Sequence, residues 1–364
     1  MEPTMKRTFP LLACVLILAS LAACSPKASS SKASSAPASS APSSSAATSS
    51  APAAPFAYNP LSGLDDLGGK TATRPIAVMI NNISVAQPVQ KGTSGAEILM
   101  ETLVEGGITR MMAIYENPYS LANIGSARSA RVPFGELAYS LDAVYVHSGQ
   151  DPHYMMDFFN AHSDFTNADL GTNFSSAAFR VSNGLPTEDT EFTSGAKLQA
   201  AITKANIDMS YKDGKVIPAF SFNPPTSPVV PSGAAAGTVF IPFSSSYSAG
   251  ATYDAAAKVY DKLDCKKPQI DSDTGKQLTF TNIVVLFADN HPYPDGVHIQ
   301  VNYQTGGSVY YFSMGHMTTF TWTKPSESAP LSLKASDGST LNVNPGKTYL
   351  AVVTSDNKSQ VTYS

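Results

Sequence analysis

Glu101, Glu105, Arg110, Arg128 and Arg131 lie close together in a chain of which only 14% is charged. The runs 98–105 and 108–116 are β-compatible and are joined by Gly106-Gly107, which is a hairpin signature. With the two glycines as the loop, Glu105 faces Ile108, Leu103 faces Arg110 and Glu101 faces Met112. Arg110 then has Glu101 and Glu105 as diagonal neighbours on one face. A helix would gather the acids too, because Glu97, Glu101 and Glu105 are spaced by four. Two carboxylates and a guanidinium so placed can form a structural ion-pair face. They can also form a polar site, with Glu101 or Glu105 as acid or base and Arg110 holding an anion.

Further along, Gly125-Ser126-Ala127-Arg128-Ser129-Ala130-Arg131 precedes a helix-compatible stretch through Leu141. If the helix starts here, Arg128 and Arg131 share a face and Gly125 and Ser126 lie at its start. Free N–H groups at such a start, beside two forked guanidinium groups, suit a phosphate or carboxylate. Both arginines could instead bond to Glu101, Glu105 or carbonyls of the domain. Residues 142–146 read as a strand that delivers His147-Ser148-Gly149-Gln150-Asp151 at its end, a junction where functional groups often sit. His147 is therefore a third catalytic candidate beside the two glutamates. His147, Asp151 and His153 match no zinc spacing, and no metal is expected. No phosphate loop or Gly-x-Ser-x-Gly elbow occurs, and no cofactor is expected.

The elements that must position these residues occupy the later part of the chain. At the front, Lys6-Arg7, an apolar run from Phe9 to Leu21 and Leu21-Ala22-Ala23-Cys24 form a secretory signal too short to span a bilayer. Its ending resembles the lipobox of bacterial lipoproteins, which implies cleavage before Cys24 and attachment of a diacylglycerol and palmitate to that cysteine. Residues 25–55 are almost wholly Ser, Ala and Pro and read as a disordered tether averaging roughly 30 Å end to end. A net charge of −4 gives no basic face, so no nucleic-acid partner is expected. After Cys14 and Cys24 only Cys265 remains, which excludes an internal disulfide, and no neighbouring histidine activates it.

The folded part reads as α+β, with domains over 58–215 and 218–364. The first is mixed α/β, with a β-hairpin and a central sheet: a strand over 74–82, the hairpin, a helix through 132–141, a strand over 142–146 and a helix over 196–207. The proline-rich run 218–231 is a connection or an edge-like segment. The second is β-rich, with short strands at 239–243, 278–287, 298–303, 308–312, 318–323 and 349–354. The stretch 254–263 reads as one short helix or a bulged strand. Trp322, close to Phe320, Tyr310 and Tyr311, is either core or an aromatic platform for sugar rings.

Arg74-Pro-Ile-Ala-Val-Met-Ile-Asn-Asn, Glu105-Gly-Gly-Ile-Thr-Arg110, Ile124-Gly-Ser-Ala-Arg-Ser-Ala-Arg131 and Val146-His-Ser-Gly149 follow one another in that order. Together they resemble the YerB-like lipoproteins of Gram-positive bacteria, a family of unknown function (domain of unknown function 3048). Asn282-Ile-Val-Val, Phe320-Thr-Trp-Thr-Lys324 and Asn344-Pro-Gly-Lys-Thr348 resemble that family's second domain. The resemblance implies a lipid-anchored envelope protein of two domains and brings no established reaction. It also implies a His-Asn pair near Phe192, where this chain has Asp189 and Thr190.

The expectation is a protein on the outer face of the cytoplasmic membrane, anchored through Cys24. Its cleft of arginines and glutamates would bind an acidic group of peptidoglycan, teichoic acid or an envelope protein. The alternatives are a glycan-cleaving enzyme using Glu101 or Glu105 as acid/base, and a sensor or assembly factor acting by protein contacts.

Overall fold

Alternation and β-branching place the core strands where the pattern expects them. In the computed structural model, which describes residues 58–335 and 337–364, strand β1 is Ile76–Asn81, β2 is Ile98–Leu103 and β3 is Thr109–Tyr115. Cys24, the signal segment and the Ser/Ala/Pro run lie outside the described residues. All six residues of β1 and all seven of β3 are buried, so both faces of the sheet are covered.

These strands belong to one mixed eleven-stranded sheet. Its order runs Ser332–Lys334, His316–Thr323, Gly307–Ser313, Asn282–Pro292, Thr348–Thr354, β2, β3, β1, Val144–His147, Asn167–Asp169, with Ile299–Asn302 paired to the far end of Asn282–Pro292. The joint at its centre is parallel: Ile98 pairs with Thr348 and Thr102 with Val352. Segments on either side of the proline-rich run are thus hydrogen-bonded into a single sheet.

Each face has its own cover. On one, Ala77, Met79, Met100, Met112 and Val352 pack against α1 (Val132–Ser140) and α2 (Tyr154–Ala161) through Phe134, Leu137, Met155 and Phe158. On the other, Val78, Ile80, Leu99, Met111 and Tyr349 meet α3 (Gly195–Lys204) and a six-stranded sheet. The Ser194 hydroxyl caps α3 by accepting from the Lys197 N–H at 3.3 Å.

That second sheet corrects the reading of 254–263. Residues Ser248–Asp254 and Val259–Asp264 are two antiparallel strands, registered Asp254 to Val259, with the left-handed Lys258 in the turn between them. Trp322 is core: it is 1% exposed and its indole N–H donates to the Phe287 carbonyl at 3.2 Å, so it forms no surface platform.

Candidate functional site

The hairpin holds the first correction. Its loop is three residues, Glu105, Gly106 and Gly107, closed by the Val104 N–H donating to the Ile108 carbonyl at 2.9 Å. Both glycines have positive φ, near 70°, which a side chain would oppose. Counting Glu105 into the loop slides the register by one: Leu103 pairs with Thr109, Thr102 with Arg110 and Glu101 with Met111. A slip of one residue sends a side chain to the other face. Arg110 therefore emerges on the α1 side, and Glu101 points at the second sheet.

Glu105 stays with the arginines. Its carboxylate accepts from Arg131 Nε at 2.9 Å and Arg110 Nη2 at 3.3 Å, and Arg131 Nη2 closes a second bond to it. Arg110, 4% exposed, also donates to the Ser129 carbonyl at 2.6 Å. Burial would raise the Glu105 carboxyl, but the Arg131 hydrogen bonds and the two positive charges outweigh it and hold the carboxyl at about 2. Burial, reinforced by Arg131, lowers Arg110 to about 9.

Glu101 is 1% exposed and wholly occupied. Oε1 accepts from Asn82 Nδ2 at 3.0 Å and Thr109 Oγ1 at 2.8 Å; Oε2 accepts from the Tyr349 hydroxyl at 2.7 Å and lies 3.3 Å from Lys262 Nζ. The structure does not bring it to Glu105 or to the arginines. Reading the sequence missed Lys262, Asp264 and Tyr349 here. The signal was in the phase of Val259–Asp264, where Tyr260, Lys262 and Asp264 alternate inward.

The segment before α1 is extended, and this is the second correction. Pro133 sits in the first turn of a helix that begins only at Val132, so Gly125 and Ser126 form no helix N-terminus. Instead the Ala127 N–H donates to the Glu191 carbonyl at 2.7 Å and the Arg128 N–H to the Met79 carbonyl at 3.2 Å. Ser126 is buried, and its hydroxyl has no partner among the described residues. Arg128 keeps 22% of its side chain exposed; Nη1 donates to the Glu188 carbonyl at 3.1 Å and lies 3.8 Å from Asp189 Oδ1, beyond hydrogen-bond distance. Arg128 Nε is buried and has no partner among the described residues.

Asp189, one of the two departures, is 1% exposed and accepts from Asn81 Nδ2 at 2.7 Å. Thr190, the other, donates to the Thr187 carbonyl at 2.8 Å. Beside them Ser148 donates to Glu191, which also lies 3.4 Å from Arg180. Arg128, Asp189, Ser148 and Glu191 thus gather beyond the carboxyl ends of β1 and Val144–His147, two neighbouring parallel strands.

Comparison with known proteins identifies the architecture. Two family models match, both described as Protein of unknown function (DUF3048): the N-terminal domain over residues 61–208 and the C-terminal domain over 239–350. The chain belongs to the DUF3048 family. A relative from Bacillus subtilis (strain 168), named "Putative lipoprotein YerB", is 26% identical over 294 residues, spanning 81% of this chain and 85% of that one. The crystal structure of the YerB protein from Bacillus subtilis shares the fold, with a TM-score of 0.72 at 24% identity over 84% of this chain and 99% of that one.

Within the DUF3048 match, the arginine cluster and Asp189 fall wholly in the N-terminal region, whereas the surroundings of Glu101 draw on both regions through Lys262 and Tyr349. His147 is fully buried, stacked on Phe159 with centroids 5.7 Å apart. Its Nδ1 bonds to the Gly149 carbonyl at 2.8 Å and Nε2 to Asn167 Oδ1 at 2.6 Å, so both ring nitrogens are committed. Burial lowers its pKa. Asp151 caps α2, accepting from the N–H groups of His153 at 3.1 Å and Met155 at 2.6 Å. His147 is thus not presented to the arginines.

At the base of the hairpin a groove of about 790 Å³ is lined by Asp66, Lys70, Glu97 and Glu116. Burial pushes the Glu97 carboxyl up to about 7, the reverse of Glu105.

Proposed function

We propose that this protein is a lipid-anchored envelope protein, held on the outer face of the cytoplasmic membrane through Cys24. It binds an acidic group of the cell wall or of a protein partner through Arg128. The lipid anchor is supported by the lipobox-like ending at Cys24 and by the name of the Bacillus subtilis relative. The binding role rests on one observation above all: Arg128 is partly solvent-reachable, its Nη1 bonds only to the Glu188 carbonyl, and its nearest carboxylate is 3.8 Å away. An incoming carboxylate or phosphate would complete that guanidinium.

Two features argue against glycan cleavage by the hairpin acids. Glu101 is sealed and fully bonded, and Glu105, held at about 2, carries no proton to donate near neutrality. Co-sedimentation of the purified protein with isolated sacculi tests the reading. It expects binding without release of soluble fragments, weakened about tenfold in Arg128→Ala, as for loss of one charge-assisted contact. Fragment release abolished by Glu105→Gln would establish the enzyme instead, and undiminished binding by Arg128→Ala would remove Arg128 from the account.

A further inference from the structure

Lys262, Glu101, Asn82, Thr109 and Tyr349 are each at most 1% exposed and meet between the two sheets. The Lys262 ammonium has no hydrogen-bond partner among the described residues; its nearest acid is Glu101 Oε2 at 3.3 Å, and the Tyr349 ring lies 4.5 Å from Nζ. Both oxygens of Asp264, two residues along the same strand and 4% exposed, are likewise without partners. Three donors with no acceptor in a dry interior carry a desolvation penalty that one ion contact at imperfect geometry does not offset. A neutral link would.

We propose that Lys262 Nζ and Glu101 Cδ become joined by an amide bond within the folded chain. Asn82 and Thr109 already donate to Oε1 at 3.0 and 2.8 Å, where negative charge develops as the amine adds to the carboxyl carbon. Tyr349 donates to Oε2, the oxygen that leaves. Carboxylate and ammonium give amide and water: two of the three ammonium hydrogens depart with Oε2, the third stays on nitrogen, and no other reactant is consumed. The protons pass from the ammonium directly to Oε2, 3.3 Å away. The fold supplies the reacting groups in contact, and exclusion of water opposes the reverse hydrolysis. The product ties β2 to Val259–Asp264 and so fastens the central sheet to the second one.

Trypsin digestion of the denatured full-length chain, read by mass spectrometry, decides the matter. Trypsin does not cut after an acylated lysine. The expected product is therefore peptide 92–110 joined to peptide 259–266, lighter than their sum by one water, about 18 Da. Lys262→Arg keeps the positive charge and should abolish the joined species. Recovery of free peptide 259–262 together with unmodified 92–110 from the native chain would overturn the proposal and leave an ordinary buried ion pair. A link from Lys262 to the peptide containing Asn82, with loss of ammonia at about 17 Da, would overturn the assignment to Glu101.

Discussion

The turn of the β2–β3 hairpin and its middle carry the same ingredients, a carboxylate with cations around it, yet they are built for opposite ends. At the turn, Glu105 keeps 25% of its side chain exposed and shares Arg110 and Arg131. In the middle, Glu101 is closed between two sheets with Lys262. The first cluster is partly hydrated, whereas the second is closed off from solvent. Position relative to the sheet faces, more than residue type, sets that difference.

The largest expected effect separates the two regions by stability. Lys262→Met leaves Glu101 buried with no cation and should cost about 3–5 kcal/mol in a urea titration. A loss under about 1 kcal/mol would mean that water already reaches the middle of the hairpin. Glu105→Gln should cost less, about 2–3 kcal/mol, because its side chain is partly hydrated even though Arg110 is not. If the order of the two costs is reversed, the contrast fails.

The pH dependence sharpens the same contrast within one hairpin. Glu105 falls from an ordinary 4.5 to about 2 on folding, so its contribution is present above pH 4.5 and is lost as pH drops through 2. Glu97 rises from 4.5 to about 7, so the folded chain binds the extra proton between those values and stability declines as pH rises across that window. Glu97→Gln should flatten the curve between pH 4.5 and 7 without touching the acid limb, whereas Glu105→Gln should flatten the acid limb alone. Urea midpoints across pH report both. The smallest stability effect belongs to Arg128→Ala, within about 0.5 kcal/mol, since its side chain is partly exposed and weakly bonded.

Much of the fold was legible locally. The strand at β1, the helices α1 and α3, the strand ending at His147 and the C-terminal strands all follow from periodicity, and the α+β mixture holds. The register of the hairpin did not follow. Gly106-Gly107 suits a two-residue loop as well as a three-residue loop that takes in Glu105, and only packing on both faces selects the latter. The central pairing of β2 with Thr348–Thr354 joins residues some 250 positions apart, which no local pattern encodes. Of the candidate residues, the structure joins Glu105 to Arg110 and Arg131. Glu101 and His147 were misplaced: one by the register, the other by ring contacts that only the fold reveals. Asp189 was noted as a departure, but its bond to Asn81 joins positions far apart in the chain.

The most direct test compares the proposed binding residue Arg128 with the middle of the hairpin in one experiment: affinity for sacculi and urea midpoint for Arg128→Ala and Lys262→Met. The account predicts a crossed result. Arg128→Ala loses about tenfold in binding at an unchanged midpoint, and Lys262→Met loses midpoint while its folded fraction binds as the parent does. Equal loss of binding in both variants, or in neither, would contradict it.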